Sequence, residues 1–132
     1  MDHLSEYIVS LFARRYVARA GLASVVDIRH GRALDILPSL DGEEFDLVYL
    51  DADRAPIATY FDWAMRLVRL GGMIVAHNVL LGGRVAEQAS RADDEDLRAV
   101  RAFNARVAGD RRVTSILMPA YDGFMVAVVN GR

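Results

Sequence analysis

Cysteine and lysine are both absent from this 132-residue sequence. Without cysteine, the chain has no disulfide bond, no thiolate nucleophile and no zinc site built on thiolates. All 16 basic residues are arginine, so no lysine is available as a general base or for a Schiff base. Catalysis by this chain would therefore use other side chains.

Long apolar runs and an excess of charge of one sign are also missing. No stretch approaches the roughly 20 uninterrupted apolar residues that a membrane-spanning helix needs. The first residues place an acid before their apolar patch and no small-residue cleavage site after it, which argues against a signal peptide. A formal charge of −2, with both signs interspersed, gives no electrostatic footprint for nucleic acid or a membrane surface. We therefore expect a cytoplasmic protein that binds neither.

Length and composition limit the domain organisation. A chain of 132 residues is long enough for one hydrophobic core and too short for two. A hydrophobic fraction of 53% with 26% charged residues is typical of a globular protein. Residues 1 to 132 are therefore expected to form a single domain or a piece of one.

Helix-like and strand-like patterns alternate along the chain. Apolar residues at three- and four-residue steps predict a helix over residues 4 to 20 that ends at Gly21. Pro56 suits a first helical turn, and the helix that it opens is expected to end at Gly71 and Gly72. Shorter helices are predicted over residues 32 to 40 and 93 to 108, and strands over residues 25 to 30, 45 to 51, 73 to 78, 112 to 119 and 123 to 130.

This order of elements predicts an α/β fold with a mostly parallel sheet. The near-continuous apolar run FDLVYLD, residues 45 to 51, predicts a central strand that is buried on both faces. The short link from Pro119 to Gly123 makes the last two strands an antiparallel hairpin.

Polar residues follow the predicted strands where an open parallel sheet binds its ligands, beyond the carboxyl ends. They are His30 to Ala33 after the first strand, Asp51 to Arg54 after the second, and His77 and Asn78 after the third. Carboxylate, amide and imidazole groups suit a divalent cation in principle. An aspartate at a strand end also caps helices or forms turns, and a partly buried histidine need not be a ligand, so spacing alone leaves both readings open.

A series of motifs resembles the caffeoyl-CoA and catechol O-methyltransferase family, especially its small bacterial members. The series is DADR followed by Tyr60 and Phe61, then a helix, LGG, IVAHNVLLGG, RAFNARV and MPAYDGF. It covers about residues 13 to 130, in order and at compatible spacing. The resemblance implies a Rossmann-like methyltransferase sheet, a homodimer, and divalent-metal-assisted methyl transfer from S-adenosylmethionine to a small phenolic or catechol-type hydroxyl.

The resemblance also implies roles for individual residues. In the family, the positions that match Asp51, His77 and Asn78 hold Mg²⁺ or a similar ion, which lowers the pKa of the acceptor hydroxyl. In the family, other positions bind the cofactor S-adenosylmethionine, and the residues that match them here are Ala33, Asp51, Asp53 and Tyr60. Arg54 matches the lysine that assists deprotonation, and we expect it to be the catalytic residue of this set.

Three positions depart from the family pattern. Arg54 stays protonated, so it can stabilise a phenolate but cannot act as the base that a lysine provides. His77 stands where the family has an aspartate, which removes a negative charge and shifts the preference from Mg²⁺ toward softer ions. Arg32 replaces the usual acidic residue after the first strand.

The family fold also begins earlier than this sequence does. Its first strand, its glycine-rich turn and a second strand ending in a ribose-binding acid match nothing before Leu4. The chain is therefore expected to match the C-terminal two-thirds of the fold, truncated at the N-terminus, with strands missing between residues 25 to 30 and 45 to 51. Three alternatives remain: the chain is a fragment, these two strands pair directly, or a partner chain fills the gap. The functional alternative to an enzyme is a non-catalytic remnant that serves as an oligomerisation or regulatory module.

Overall fold

The structure, a computed structural model, describes residues 3 to 132, with side chains from Ser5 onward. It consists of two compact units, Met1–Ser39 and Leu40–Arg132. No helix within the described residues combines the length and the hydropathy that a bilayer crossing needs.

The first unit begins with helix α1, His3–Arg19. Gly21 follows with a φ of 73°, and the N–H groups of Gly21 and Leu22 donate to the carbonyls of Ala18 and Val17. The left-handed backbone of Gly21 thus allows carbonyls of the last helical turn to accept hydrogen bonds. The predicted helix and its stop are confirmed.

The strand predicted over residues 25 to 30 is wrong. This segment has no regular secondary structure and is not part of the sheet. β-Branched residues favour a strand only where a neighbouring strand provides packing and backbone partners, and no described strand does so here. Direct pairing with the next strand, one of the three alternatives, needs a strand in this segment, and the structure describes none there. Helix α2, Ala33–Ile36, follows and continues as a 3₁₀ turn over Leu37–Leu40, which includes Pro38.

The second unit contains a four-stranded mixed sheet in the order β1-β2-β4-β3. Strands β1 and β2 are parallel, whereas β4 runs antiparallel to both of its neighbours, β2 and β3. The α/β class and the C-terminal hairpin are confirmed. The prediction of a mostly parallel sheet is wrong for the described strands. Beside β2 lies the hairpin strand β4, which runs antiparallel to it. The strands are β1 Phe45–Leu50, β2 Val68–His77, β3 Val113–Met118 and β4 Phe124–Val129.

Strand β1 lies at an edge of this sheet and not at its centre. It pairs with β2 alone, and the side chains of Phe45, Leu47 and Tyr49 are exposed. The intervening Val48 and Leu50 pack against the core. The predicted burial on both faces is wrong, because only the face that carries Val48 and Leu50 packs against the core, while the side chains on the other face are exposed.

Helices α3, Ile57–Leu67, and α4, Glu95–Gly109, cover one face of the sheet. The rings of Phe61 and Phe103 meet edge to face where the two helices touch, with centroids 5.8 Å apart. Every second strand residue points toward these helices, as a pleated strand requires. The buried strand residues of this core are Val68, Ile74, Ala76, Val113, Met125, Ala127 and Val129.

The opposite face of the sheet exposes large apolar side chains. The pairing register places them together, since Leu47 lies opposite Met73 and the β3 residues share a face with their β4 partners. We call this surface the open sheet face. Its exposed apolar members are Leu47, Tyr49, Met73, Ile116 and Met118.

Helix α3 ends four residues before the predicted glycine stop. Val68 already has extended backbone, with φ −84° and ψ 131°, and it begins β2. The register of β1 against β2 is irregular between Phe45 and Leu47, and Gly72 lies at this irregularity. A Cβ at Gly72 would lie 2.8 Å from the Asp46 carbonyl oxygen, so the glycine permits the close approach of the two strands.

Candidate functional site

The carboxyl ends of the parallel strands β1 and β2 lie side by side, because Leu50 pairs with Ala76. The loops that leave these two strands meet the turn between β3 and β4 at the same edge. Five polar side chains converge there, and we call them the strand-end cluster: Asp51, Arg54, His77, Asn78 and Asp122.

Arg54 lies at the centre of the cluster. Its Nη2 donates to Asn78 Oδ1 at 2.8 Å and lies 3.6 Å from Asp51 Oδ1. Its Nη1 donates to the Ala52 carbonyl at 2.6 Å. Only 16% of the side chain is exposed, so acceptors from both loops, and not solvent, hold the guanidinium.

Asn78 has a left-handed backbone, with a φ of 58°, a conformation that asparagine tolerates better than most residues. Its Nδ2 donates to Asp122 Oδ2 at 3.1 Å. The other carboxylate oxygen of Asp122 accepts from the Gly82 N–H at 2.6 Å. A carboxylate only accepts and a guanidinium only donates, so these neighbours allow the amide one orientation, with Oδ1 toward Arg54.

His77 presents one of its ring nitrogens to Asp51. Its Nε2 lies 2.8 Å from the Tyr121 carbonyl, which only accepts, so Nε2 is the donor. In the neutral ring Nδ1 is then an acceptor; it lies 3.4 Å from Asp51 Oδ1 and makes no hydrogen bond within residues 3 to 132. The ring stacks on Phe124, with centroids 4.7 Å apart. The packing therefore holds a buried acceptor nitrogen beside a carboxylate oxygen.

Asp53 and Tyr60 form a second, smaller group. The Tyr60 hydroxyl donates to Asp53 Oδ1 at 2.5 Å. Pro56 precedes helix α3, and the backbone N–H of Ile57 donates to the Arg54 carbonyl, so the loop after β1 leads directly into the helix. The helix therefore supplies the tyrosine that holds Asp53.

The predicted site residues fall into three places. Asp51, Arg54, His77 and Asn78 lie together in the strand-end cluster, while Asp53 and Tyr60 pair with each other. Ala33 is the first residue of α2, in the first unit, and Arg32 is its N-cap without a side-chain capping bond.

Asp122 is the residue of the cluster that the sequence did not single out. It lies 44 positions from Asn78, so no local spacing connects the two residues. The sequence signal for Asp122 is the Asp-Gly pair within MPAYDGF, and this pair is typical of a turn and does not by itself indicate a functional residue. Tyr121 and Asp122 both have positive φ, 47° and 66°, and this backbone turns the carboxylate and the Tyr121 carbonyl toward β2.

The loop after the cluster is held by one arginine of α4. Arg101 donates to the carbonyls of Arg84 and Glu87, each at 2.8 Å, and to that of Val85 at 3.2 Å. It also pairs with Asp93, whose pKa is lowered chiefly by the Ser90 backbone N–H and also by Arg101. The loop from Arg84 to Glu87 is thus anchored to α4.

The donor set does not fit a divalent cation such as Mg²⁺. Asp51 is the one carboxylate among the three expected ligands, and the Asn78 oxygen already accepts from Arg54. The positive charge of Arg54 lies 3.6 Å from Asp51 and opposes a second cation there. No group of three histidine or acidic side chains within residues 3 to 132 is arranged to hold a metal ion.

The fold and the cluster are typical of one class of protein, the α/β domains, which as a class bind ligands at the carboxyl ends of parallel strands. The family model described as O-methyltransferase matches residues 5–129. The chain belongs to the S-adenosylmethionine-dependent O-methyltransferase family, in the group related to catechol and caffeoyl-CoA O-methyltransferases.

Individual relatives agree with this assignment. The catechol O-methyltransferase of Niastella koreensis is 39% identical over 125 residues, which are 89% of this chain and 56% of that protein. The O-methyltransferase TomG of Streptomyces achromogenes, solved in complex with SAM, is 42% identical with a TM-score of 0.79 over 90% of this chain and 56% of that one. The Bacillus cereus O-methyltransferase, solved with SAH, is 34% identical with a TM-score of 0.82, over 92% of this chain and 58% of that one. The chain spans about half the length of the curated relatives it matches.

Proposed function

We propose that the protein containing this chain transfers a methyl group from S-adenosylmethionine to a small phenolic or catechol-type hydroxyl. We propose that this chain supplies the acceptor side of the site and part of the cofactor side. The observation that supports this most is the convergence of Arg54, His77 and Asn78 beside Asp51, beyond the parallel strands of a chain that belongs to this family.

The cofactor side of this proposal rests on Asp53 and Tyr60. A carboxylate and a phenol joined by a hydrogen bond beside the strand end fit the polar groups of S-adenosylmethionine, and Asp53 is exposed to receive them. Ala33 and Asp51 are the further cofactor contacts that the family pattern suggests. When bound, the cofactor supplies an activated methyl group, which moves to the acceptor oxygen while the carbon–sulfur electron pair stays on sulfur.

The residues of the strand-end cluster would act on the acceptor hydroxyl. The Arg54 guanidinium stabilises the negative charge that develops on the oxygen as its proton leaves. Arg54 cannot take that proton, whereas His77 Nδ1 is a buried acceptor without a donor among the described residues. Because Nδ1 is buried, the proton passes from the hydroxyl through the half-exposed Asp51 carboxylate, whose Oδ1 lies 3.4 Å from Nδ1, to His77. Tyr121 and Phe124 hold the ring for this.

A divalent cation, the other expected cofactor, enters no step of this proposal because the donor set does not fit one. Aromatic hydroxyls are the acceptor class we favour, since curated relatives include catechol O-methyltransferases and a tricin synthase. We further propose a homodimer in the cytoplasm, without nucleic-acid or membrane partners. The open sheet face is the surface that favours association.

That same face supports the second candidate function, a non-catalytic oligomerisation or regulatory module. Calorimetric titration of the protein, purified from its natural host, with S-adenosylmethionine separates the two functions. We expect saturable binding that Asp53→Asn weakens and that Asp46→Asn leaves unchanged, since Asp46 is exposed at the opposite end of β1. No heat of binding at millimolar cofactor would overturn the enzyme proposal and favour the module.

A further inference from the structure

We propose that the Arg54 guanidinium takes the place of the divalent cation, so that the acceptor site works without a metal ion. This inference rests on the proposed function. It states that the positive charge beside the acceptor oxygen is the Arg54 guanidinium and not a divalent cation. Three features of the strand-end cluster support it: where Arg54 lies, how Asn78 is oriented, and how few negative charges surround them.

The first feature is the position of the guanidinium. Asp51 and Asn78 are the two oxygen donors expected to bind a metal, and Arg54 Nη2 lies 3.6 Å from one and 2.8 Å from the other. Its side chain is mostly buried, and the Ala52 carbonyl holds its second nitrogen. The charge therefore lies between the two loops and not in solvent.

The second feature is that Asn78 is already arranged for a cation. Asp122 binds the amide nitrogen, which leaves the amide oxygen facing Arg54. Asp122 is itself held by the Gly82 N–H, so the amide does not rotate freely. The same oxygen that would ligate a metal accepts a charge-assisted hydrogen bond from the guanidinium instead.

The third feature is charge balance. Asp51 provides one negative charge, and the permanently protonated Arg54 neutralises it. His77 adds none in its neutral form, and its Nε2 is committed to Tyr121. With the Asp122 carboxylate included, the cluster has a net charge of −1, so a dication would meet only one uncompensated negative charge. A phenolate oxygen would instead meet the planar guanidinium, whose remaining N–H groups are donors.

Manganese binding tests this inference without reference to turnover. Water-proton relaxation in a Mn²⁺ titration reports ions held by the protein, and we expect no enhancement for the wild-type protein up to millimolar Mn²⁺. The double variant Arg54→Ala with His77→Asp removes the guanidinium and adds a carboxylate, so it should gain at least about tenfold in Mn²⁺ affinity. Arg69→Ala, which removes an exposed charge at the other end of β2, is the matched control and should gain nothing.

Saturable Mn²⁺ binding by the wild-type protein that Mg²⁺ displaces would overturn the inference, and this result does not depend on whether the double variant folds. A second readout separates this inference from the proposed function. Methyl transfer to catechol should change by less than about twofold when EDTA replaces Mg²⁺. A loss of more than about tenfold in EDTA would refute the metal-free site while upholding the methyltransferase. Absence of transfer under both conditions, with no Mn²⁺ bound, would refute the function and leave the absence of a metal site standing.

Discussion

At the scale of single residues, Asp122 determines how the cluster is oriented. Its two carboxylate oxygens accept from the Asn78 amide and from the Gly82 N–H, in a turn with left-handed backbone. The Asn78 oxygen can face Arg54 only because Asp122 engages the nitrogen. Asp122 is thus a positioning residue that acts through Asn78.

Replacing Asp122→Asn should disturb this arrangement, since an amide has one acceptor oxygen for the two N–H groups that now donate to a carboxylate. We expect a loss of roughly 1 to 3 kcal/mol in the free energy of unfolding. The side-chain NH₂ resonances of Asn78 should shift in ¹H–¹⁵N spectra. Glu44→Gln, at an exposed position, serves as the control for removal of one charge. Unchanged Asn78 resonances in Asp122→Asn would show that Asp122 does not position the amide.

Asp110 connects the end of α4 to the start of β3 and makes stability depend on pH. The Arg112 guanidinium donates to both carboxylate oxygens, at 3.0 and 2.6 Å, and these bonds lower the pKa of Asp110 to about 2. Because the pKa is lower in the folded state, the stabilisation is present above about pH 4 and is lost as the pH falls toward 2.

The variant Asp110→Asn should therefore be less stable than the wild type at pH 6, and most of this difference should be lost near pH 2, where about half of the Asp110 carboxyl is protonated. The expected difference at pH 6 is roughly 1 kcal/mol, because Arg112 is 40% exposed and solvent screens the pair. Urea unfolding of both proteins at pH 6, 4 and 2 measures the difference. A difference that stays constant across this range would contradict the assigned pKa.

At the scale of secondary-structure elements, signals carried by a few neighbouring residues are confirmed at Gly21 and at the last hairpin, whereas the end of α3 and the strand at residues 25 to 30 are predicted wrongly. The Gly21 stop of α1 and the hairpin around residues 119 to 123 depend on neighbours in sequence, and both are confirmed. Residues 25 to 30 and 45 to 51 are equally strand-like in composition, yet only the latter has a paired neighbour. Strand formation depends on a partner that the sequence pattern does not specify.

The site shows the same division between local and distant information. The sequence predicts a site where parallel strands end at one edge, and Asp51, Arg54, His77 and Asn78 do lie together there. Asp53 pairs with Tyr60 instead, and His30 to Ala33 belong to the first unit. The hydrogen bond between Arg54 and Asn78 was not predicted, since it depends on the side-chain directions of two loops. Asp122 lies in the turn of the last hairpin, and its sequence predicts a turn but not a contact with Asn78.

Gly72 allows β2 to approach β1, which makes it a test of the sheet register. A methyl group there would lie 2.6 Å from Val68 Cγ1 and 2.8 Å from the Asp46 carbonyl oxygen. We expect Gly72→Ala to lower the free energy of unfolding by about 1 to 3 kcal/mol through this overlap. Gly109→Ala is the matched control, since nothing lies within 4 Å of its added methyl group. Equal unfolding midpoints for the two variants in urea would contradict the described register.

At the scale of the whole molecule, the second unit has one covered and one uncovered sheet face. Helices α3 and α4 cover the first, and the open sheet face exposes large apolar side chains together with the unpaired edge of β1. Such surfaces are rare on isolated monomers and mark places of association. The fragment and partner-chain alternatives both remain consistent with a chain that spans about half of its relatives.

We expect the chain to self-associate reversibly through this face, and sedimentation equilibrium at rising protein concentration measures it. Leu47 is 51% exposed on the face, so Leu47→Arg should weaken association by about tenfold or more while the fold persists. Leu70 is 54% exposed in the irregular first part of β2, and Leu70→Arg is the matched control with unchanged association. A monomer at every concentration, or equal effects of the two variants, would show that this face is not the interface.

We propose that this chain supplies the acceptor side of a methyl-transfer site in which Arg54 provides the positive charge. Mass spectrometry of catechol incubated with trideuteromethyl S-adenosylmethionine and the protein from its natural host tests this proposal. We expect a trideuteromethyl ether of catechol, formed about 10²-fold more slowly by Arg54→Ala and at the wild-type rate by Arg69→Ala. No labelled product with or without Mg²⁺, or equal rates for the wild type and Arg54→Ala, would contradict it.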